Sequence, residues 1–105
     1  MITIGMNYRV AAGKEEAFVR MFDKVLEAMS AMPEHTSSRL YRDVHEPPSF
    51  LIVSQWRTRR AFEAFVASEL FRKVAAWGRD VLTARPVHQV YGEDEPEASP
   101  GAAGG

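Results

Sequence analysis

The sequence contains no cysteine, and this absence excludes disulfide bonds, thiolate metal sites and cysteine nucleophiles together. No apolar run approaches the roughly 20 residues that a membrane helix needs. The first ten residues alternate between apolar and polar, unlike the charged start and apolar stretch of a secretion signal. With 105 residues the chain is expected to form one domain. We therefore expect a cytoplasmic protein without a membrane partner.

A strong charge of one sign is also lacking, because the formal net charge is −1. Positions 93–105 hold four acids and no base, so residues 1–92 carry all 13 bases against ten acids (14 less those four). This excess is weak and dispersed, whereas a nucleic-acid binder has a dense basic patch and a recognisable motif. We expect no nucleic-acid partner. The acidic segment 93–105 is rich in Gly, Pro and Ala and is predicted to be a disordered tail behind a domain at 1–92.

Hydrophobic periodicity predicts the order of the secondary structure. Residues 2–10 alternate as a strand does, and a stripe of apolar residues from Lys14 predicts an amphipathic helix that Pro33 ends. Thr58 and Ser68 are suitable N-caps for two further helical segments, the second closed by Gly78. The remaining apolar runs predict strands at 36–44, 50–56 and 87–91.

This order is β-α-β-β-α-β with the second helix broken in two, which predicts an α+β, ferredoxin-like fold with an antiparallel sheet. Helices cover only one face of such a sheet. Apolar residues on the other face would remain exposed unless a partner covers them. A symmetric homodimer that packs sheet against sheet is the simplest solution, so we expect a homodimer.

The most specific pattern in the chain is W-x5-F-x2-F-x2-S-x2-F, formed by Trp56, Phe62, Phe65, Ser68 and Phe71. With the segments "MNYRV" and "LIVSQW", this pattern resembles the antibiotic biosynthesis monooxygenase domain over about residues 1–92. The resemblance implies a dimeric α+β barrel. It also implies an oxidoreductase that oxidises an apolar aromatic or quinol-like small molecule with O2 and needs no cofactor.

Heme binding or heme degradation is the first alternative that the resemblance implies. Heme-degrading enzymes of this type use a strand Asn, a helix Trp and a helix His that binds the iron. Asn7 matches the first, but Phe65 and Ala75 stand at the other two positions. Heme would therefore need a non-standard ligand. A second alternative is a dimer of the same fold that binds a small ligand without catalysis.

Two residues are predicted to be catalytic: Asn7 as a polar anchor for substrate oxygen, and His88 as general base, although each also has a purely structural interpretation. The predicted walls of the substrate pocket are aromatic residues that equally suit a core: Phe22, Trp56, Phe62 and Phe65.

The other polar side chains carry weaker predictions. His35 and His45 lie beside prolines and are expected in solvent, while Tyr8 and Tyr41 either bond a phenolic substrate or lie in the dimer interface. No HxH, HExxH or phosphate-binding glycine motif occurs, so we expect no metal site.

Overall fold

The computed structural model describes residues 1–93. They form one four-stranded antiparallel sheet in the order β2-β3-β1-β4, with the helices on one face, which confirms the ferredoxin-like α+β fold. The elements are β1 (Ile2–Arg9), α1 (Glu15–Ser30), β2 (His35–Arg42), β3 (Ser49–Trp56), α2 (Arg59–Val66), α3 (Glu69–Val81) and β4 (Val87–Glu93). Within residues 1–93, no helix is both long and apolar enough to cross a membrane.

The predicted N-caps of the second and third helices are confirmed. The Thr58 hydroxyl accepts a hydrogen bond from the backbone N–H of Ala61 at 3.1 Å, and the Ser68 hydroxyl accepts one from Phe71 at 3.2 Å. Each cap satisfies a backbone donor that has no partner inside its helix. The two caps explain why the helical region breaks at Ala67 and Ser68.

The predicted end of α3 at Gly78 is wrong, because the helix continues to Val81. Tertiary contacts with β1 end it instead. The carbonyl of Val81 accepts a hydrogen bond from the Ala11 backbone N–H at 2.7 Å, and the N–H of Thr83 donates to the Arg9 carbonyl at 2.9 Å. The end of α3 is therefore fixed against the end of β1.

The predicted strand limits shift by one or two residues. β2 begins at His35 and β3 at Ser49, while β4 extends past Tyr91 to Glu93. The Glu93 carboxylate forms an ion pair with Arg59 Nη2 at the start of α2, at 2.7 Å. This contact connects the end of β4 to α2. Residues 94–105, where the disordered tail was predicted, lie outside the described residues, and the division at 92 stays a prediction.

The sheet has a helix-covered face and an open face. On the covered face, one buried cluster contains Ile2, Ile4, Met6, Met29, Trp56 and Phe65, and a second contains Val10, Phe18 and Phe50. Tyr8 and Ile52 pack against both clusters. These two residues of β1 and β3 therefore connect the two clusters along the sheet.

The open face carries Leu51 and Val53 of β3 beside the half-exposed Tyr41 and Tyr91. Tyr91 is the extra residue of a bulge in β4, and its ring lies directly over Gly5 of β1. A Cβ at position 5 would lie 2.1 Å from Tyr91 Cε2, so the ring can hold this position only over a glycine. Every residue of β4 is exposed.

Candidate functional site

A cavity of about 590 Å³ lies between the covered face of the sheet and helices α1 and α3. Its volume is within the range of small-molecule sites. Most of its wall is apolar, and α1 contributes Phe18, Met21, Phe22, Val25 and Met29. The same periodic stripe that predicts α1 therefore forms one side of the cavity and not only a closed core.

The floor of the cavity, on β2 and β3, contains two buried hydroxyl groups. Ser38 Oγ and Ser54 Oγ are 2.7 Å apart, and Ser54 accepts a 2.9 Å hydrogen bond from Trp56 Nε1. Ser38 also lies 2.8 Å from His35 Nε2. Strand alternation places these side chains on one face, because Ser38 pairs with Ser54 and His35 pairs with Trp56 across the two strands. The apolar cavity thus ends in a hydrogen-bonded polar group.

His35 is partly buried against the floor, with its ring in edge contact with Trp56 at a centroid distance of 5.0 Å. Burial lowers the pKa of His35, and a hydrogen bond to the backbone of Ser37 partly offsets that shift. The ordinary pKa is 6.5. The imidazole is therefore neutral at pH 7, and one ring nitrogen is available as an acceptor. His35, expected in solvent beside Pro33, is therefore only partly exposed.

Tyr8 is the polar group of β1 within the cavity. Its hydroxyl donates to Met6 Sδ at 3.5 Å, and thioether sulfur is a weak acceptor. Burial raises the pKa of Tyr8 to about 12, so the phenol remains protonated at neutral pH. Tyr8 is consequently a hydrogen-bond donor for a bound oxygen atom and is unsuited to act as a base.

The mouth of the cavity is basic. Arg79 at the end of α3, Arg85 in the following loop and His88 of β4 all line it, and no acid does among the described residues. Neither arginine forms an ion pair with another residue of 1–93. The weak basic excess of the sequence therefore includes a local contribution where a ligand enters.

The structure brings together some of the predicted site residues. Phe22, Phe65 and His88 line the cavity, and His88 faces it from β4 opposite Met6. Trp56 and Phe62 lie behind this wall: Trp56 is 2% exposed and packs on Phe65 at a ring distance of 5.1 Å. The assignments of these residues as substrate contacts, and of His88 as base, stay predictions.

Asn7 is not brought to the cavity. It is exposed on the open face of the sheet, where its register partners are Leu51 and Val87. The neighbouring residue Met6 is the one that faces the cavity, since successive strand residues point to opposite sides. The catalytic role of Asn7 stays a prediction, and any ligand that it contacts must approach the open face.

Sequence reasoning missed the three polar residues of the floor: His35, Ser38 and Ser54. A signal was present for Ser54, because it continues the inward series Phe50, Ile52, Trp56 in an otherwise apolar strand. Ser38 and His35 gave no such signal, because β2 is polar throughout and a bulge lies between His35 and Ser37. Their alignment with Ser54 arises only when β2 pairs with β3.

Within residues 1–93, no group of three or more His, Asp or Glu side chains is arranged to hold a metal ion. The donors that face the cavity are instead dispersed, with hydroxyls at the floor, Tyr8 at the centre and His88 at the mouth. The site thus offers single hydrogen-bonding groups around an apolar volume.

Comparison with known families gives one match to a family model, described as "Antibiotic biosynthesis monooxygenase", over residues 1–77. Two curated relatives, from Natronomonas pharaonis and Halobacterium salinarum, are each named "Putative heme-binding protein". They are 37% and 36% identical over 86 residues, which is 82% of this chain but 14% and 18% of theirs. The chain spans less than a fifth of the length of these relatives.

Solved structures share the fold over nearly the whole described chain. A crystal structure of an antibiotic biosynthesis monooxygenase has a TM-score of 0.79 at 14% identity and covers 90% of this chain and 99% of its own. SnoaB, a cofactor-independent oxygenase from Streptomyces nogalater, has a TM-score of 0.77 at 18% identity, with coverages of 93% and 97%. At these identities the likeness concerns the fold alone.

Proposed function

This chain belongs to the antibiotic biosynthesis monooxygenase family, and from that premise we propose that it oxidises an aromatic or quinol-like small molecule with O2, without a cofactor. The observation that carries the proposal is the apolar cavity of about 590 Å³, which ends in hydroxyl groups and opens at a basic mouth. In this reaction one oxygen atom enters the substrate and the other leaves as water, and the substrate supplies the electrons.

The cavity suits a planar aromatic molecule that carries oxygen substituents at its ends. Aromatic and aliphatic walls favour the ring system, while a few fixed polar groups orient it. Tyr8 and Ser38 are placed to bond oxygen atoms inside, and Arg79 and Arg85 attract an anionic substituent at the mouth.

The direct test is O2 uptake by the pure protein with a panel of hydroquinones and anthrones. We expect uptake above the no-protein control for at least one compound, with label from 18O2 in the product. The matched variant is Val74→Trp, because Val74 lines the cavity and an indole there fills the space. A folded Val74→Trp protein that retains full activity, or no uptake across the panel, would contradict the proposal.

We also propose that the protein acts as a symmetric homodimer whose open sheet faces pack together. Leu51, Val53, Tyr41, Tyr91 and Val87 supply apolar surface on that face or at its edge, and nothing within residues 1–93 covers it. Native mass spectrometry should give twice the 11.8 kDa of one chain. Leu51→Glu places a charge on the open face and should dissociate the dimer. A single-chain mass for the unmodified protein at micromolar concentration would refute it.

The same dimer tests the predicted role of Asn7. In a sheet-to-sheet dimer Asn7 would lie within the interface, between Leu51 and Val87. Asn7→Ala should then lower O2 uptake without changing the dimer mass if the residue is catalytic. Loss of the dimer and the activity together would assign Asn7 to the interface instead.

Heme is the second candidate ligand, favoured by the names of the 36–37% identical relatives. The axial ligands that hold heme iron in proteins include His and Tyr. Ala75 lines the cavity at the position expected for the ligand but has no donor atom, and Tyr8 is a protonated phenol. His88 fits as a single ligand, with Arg79 and Arg85 near enough to the mouth to bind carboxylates.

A hemin titration distinguishes this candidate. If heme is the ligand, hemin gives a saturable Soret shift at one equivalent, which His88→Ala abolishes and which His45→Ala, at an exposed turn, leaves unchanged. No saturable shift would eliminate heme. Aromatic ligand binding without either O2 uptake or a Soret shift would favour a non-catalytic ligand-binding dimer.

A further inference from the structure

Three hydrogen bonds in the cavity floor form a continuous chain from the indole of Trp56 to the imidazole of His35. Trp56 Nε1 lies 2.9 Å from Ser54 Oγ, Ser54 Oγ lies 2.7 Å from Ser38 Oγ, and Ser38 Oγ lies 2.8 Å from His35 Nε2. Ser38 and Ser54 line the cavity, whereas His35 is partly exposed. The chain therefore connects the deep end of the cavity with a titratable group that reaches solvent.

The direction of this chain depends on the tautomer of His35. An indole N–H only donates, so Ser54 accepts from Trp56, while either hydroxyl can be the donor between Ser54 and Ser38. In the tautomer of the neutral His35 ring that carries its proton on Nδ1, Nε2 accepts a hydrogen bond from Ser38. The Ser38 hydroxyl also lies 3.8 Å from Met29 Sδ, a weaker acceptor. In that tautomer Ser38 gives its only proton to His35, so Ser54 donates to Ser38 and all three hydrogen bonds point towards His35.

This arrangement exceeds what the fold requires. The buried indole of Trp56 needs one acceptor, and Ser54 alone provides it. Ser38 and His35 extend the chain beyond that need. Each serine oxygen has two lone pairs and uses one as acceptor, so Ser38 retains a free lone pair on an oxygen that lines the cavity. A ligand hydroxyl at the floor can donate to it.

We propose that Ser38 and His35 together remove the proton from a hydroxyaromatic substrate bound with its hydroxyl at the floor. Ser38 is the catalytic residue that contacts the substrate, and His35 positions Ser38 and accepts its proton. The substrate O–H bond breaks as a new O–H bond forms at Ser38. The Ser38 proton moves to His35 Nε2, which leaves an aryloxide and an imidazolium. His35 then returns the proton to solvent. The aryloxide is the electron-rich form that donates electrons to O2, so this inference rests on the proposed monooxygenase function.

Proton transfer is measurable apart from oxidation, with 4-nitrophenol as the probe. Its ionised form absorbs visible light and its neutral form does not, so the spectrum reports transfer directly. At a pH where the free probe is mostly neutral, saturable binding should produce the band of the ionised form. In His35→Gln and Ser38→Ala the probe should still bind, with the ionised fraction reduced at least tenfold. Ser37→Ala, whose side chain bonds Gln55 on the open face, and His45→Gln are the matched controls.

Turnover should distinguish the His35 and Ser38 variants from the control variants in the same way. General acid–base catalysis contributes about 10²–10⁴-fold, so kcat of His35→Gln should fall by about that factor while KM changes little. If both variants retain the ionised band and full kcat, the proposal is overturned. If the unmodified protein binds the probe only in its neutral form, the relay is wrong while a monooxygenase with another base survives. If the probe ionises but no compound is oxidised, the relay stands and the oxygenase proposal fails.

A second experiment keeps Ser38 and His35 unchanged, in case His35→Gln and Ser38→Ala do not fold. Nitrogen-15 NMR of the three histidines distinguishes a neutral imidazole from an imidazolium, and His45→Gln and His88→Gln leave His35 identifiable. On binding of ionised probe, the His35 signals should shift to the imidazolium pattern. A neutral His35 ring beside an ionised probe would overturn the proposal.

Discussion

Removing the Ser54 hydroxyl should destabilise the fold by an amount that the floor geometry specifies. Trp56 is 2% exposed and Ser54 1% exposed, so water does not replace the lost oxygen. In Ser54→Ala the indole N–H, which donates over 2.9 Å, loses its acceptor. A buried donor without a partner costs about 1–3 kcal/mol. In a domain of this size the Tm should fall by at least about 4 °C.

The assay is urea unfolding followed by far-UV circular dichroism, at one fixed protein concentration because association would add to stability. The midpoint should fall with an unchanged slope, which indicates lost stability and not a changed unfolded state. Ser37→Ala is the control, since its hydroxyl donates to Gln55 Oε1 at 3.0 Å on the less buried open face. It should cost about 0.5 kcal/mol.

A double-mutant cycle with Trp56→Phe isolates the hydrogen bond from the packing. Phenylalanine has no N–H, so Ser54→Ala should cost less in that background, with a coupling of at least about 1 kcal/mol. If the two substitutions are additive within about 0.5 kcal/mol, the indole does not depend on Ser54 and the reasoning is refuted.

Three further outcomes are expected. Val74→Trp should weaken binding of 4-nitrophenol at least tenfold in titration, because the indole fills the cavity; unchanged affinity would place the probe elsewhere. Gly5→Ala should weaken amide-exchange protection of β4, because the new Cβ displaces the Tyr91 ring, and Tyr91→Ala should restore it in the double variant. Burial lowers the pKa of His35 below 6.5, so the unfolded chain takes up the proton first and stability falls as the pH drops below about 6.5. His35→Gln should flatten that part of the urea-midpoint profile, and an unchanged slope would contradict the shift.

The relation between the basic mouth and the cavity shows how local sequence features combine. Arg79 lies in the last turn of α3, Arg85 in the following loop and His88 in β4, so the three residues come from separate segments of the sequence. They meet because β4 returns along β1 and the end of α3 is tied to the same strand. The attraction of an anionic ligand is thus a property of the assembled fold.

Local sequence patterns were sufficient to predict the order of the elements, the helix caps and the family. Periods of two and of 3.6 residues are local signals, and a cap such as Thr58 or Ser68 acts on a backbone N–H three residues away. These features need no knowledge of distant residues. The apolar side of α1 was predictable for the same reason.

The roles of the two faces of the sheet depend on long-range contacts. Strand alternation separated Asn7 from Met6, but pairing with β3 and β4 and the placement of the helices decided which of them faces the cavity. His35 reached Ser38 and Trp56 because a bulge in β2 set the register against β3. A shift of one residue reverses the face of every side chain in a strand, and register is a long-range property that local patterns do not encode.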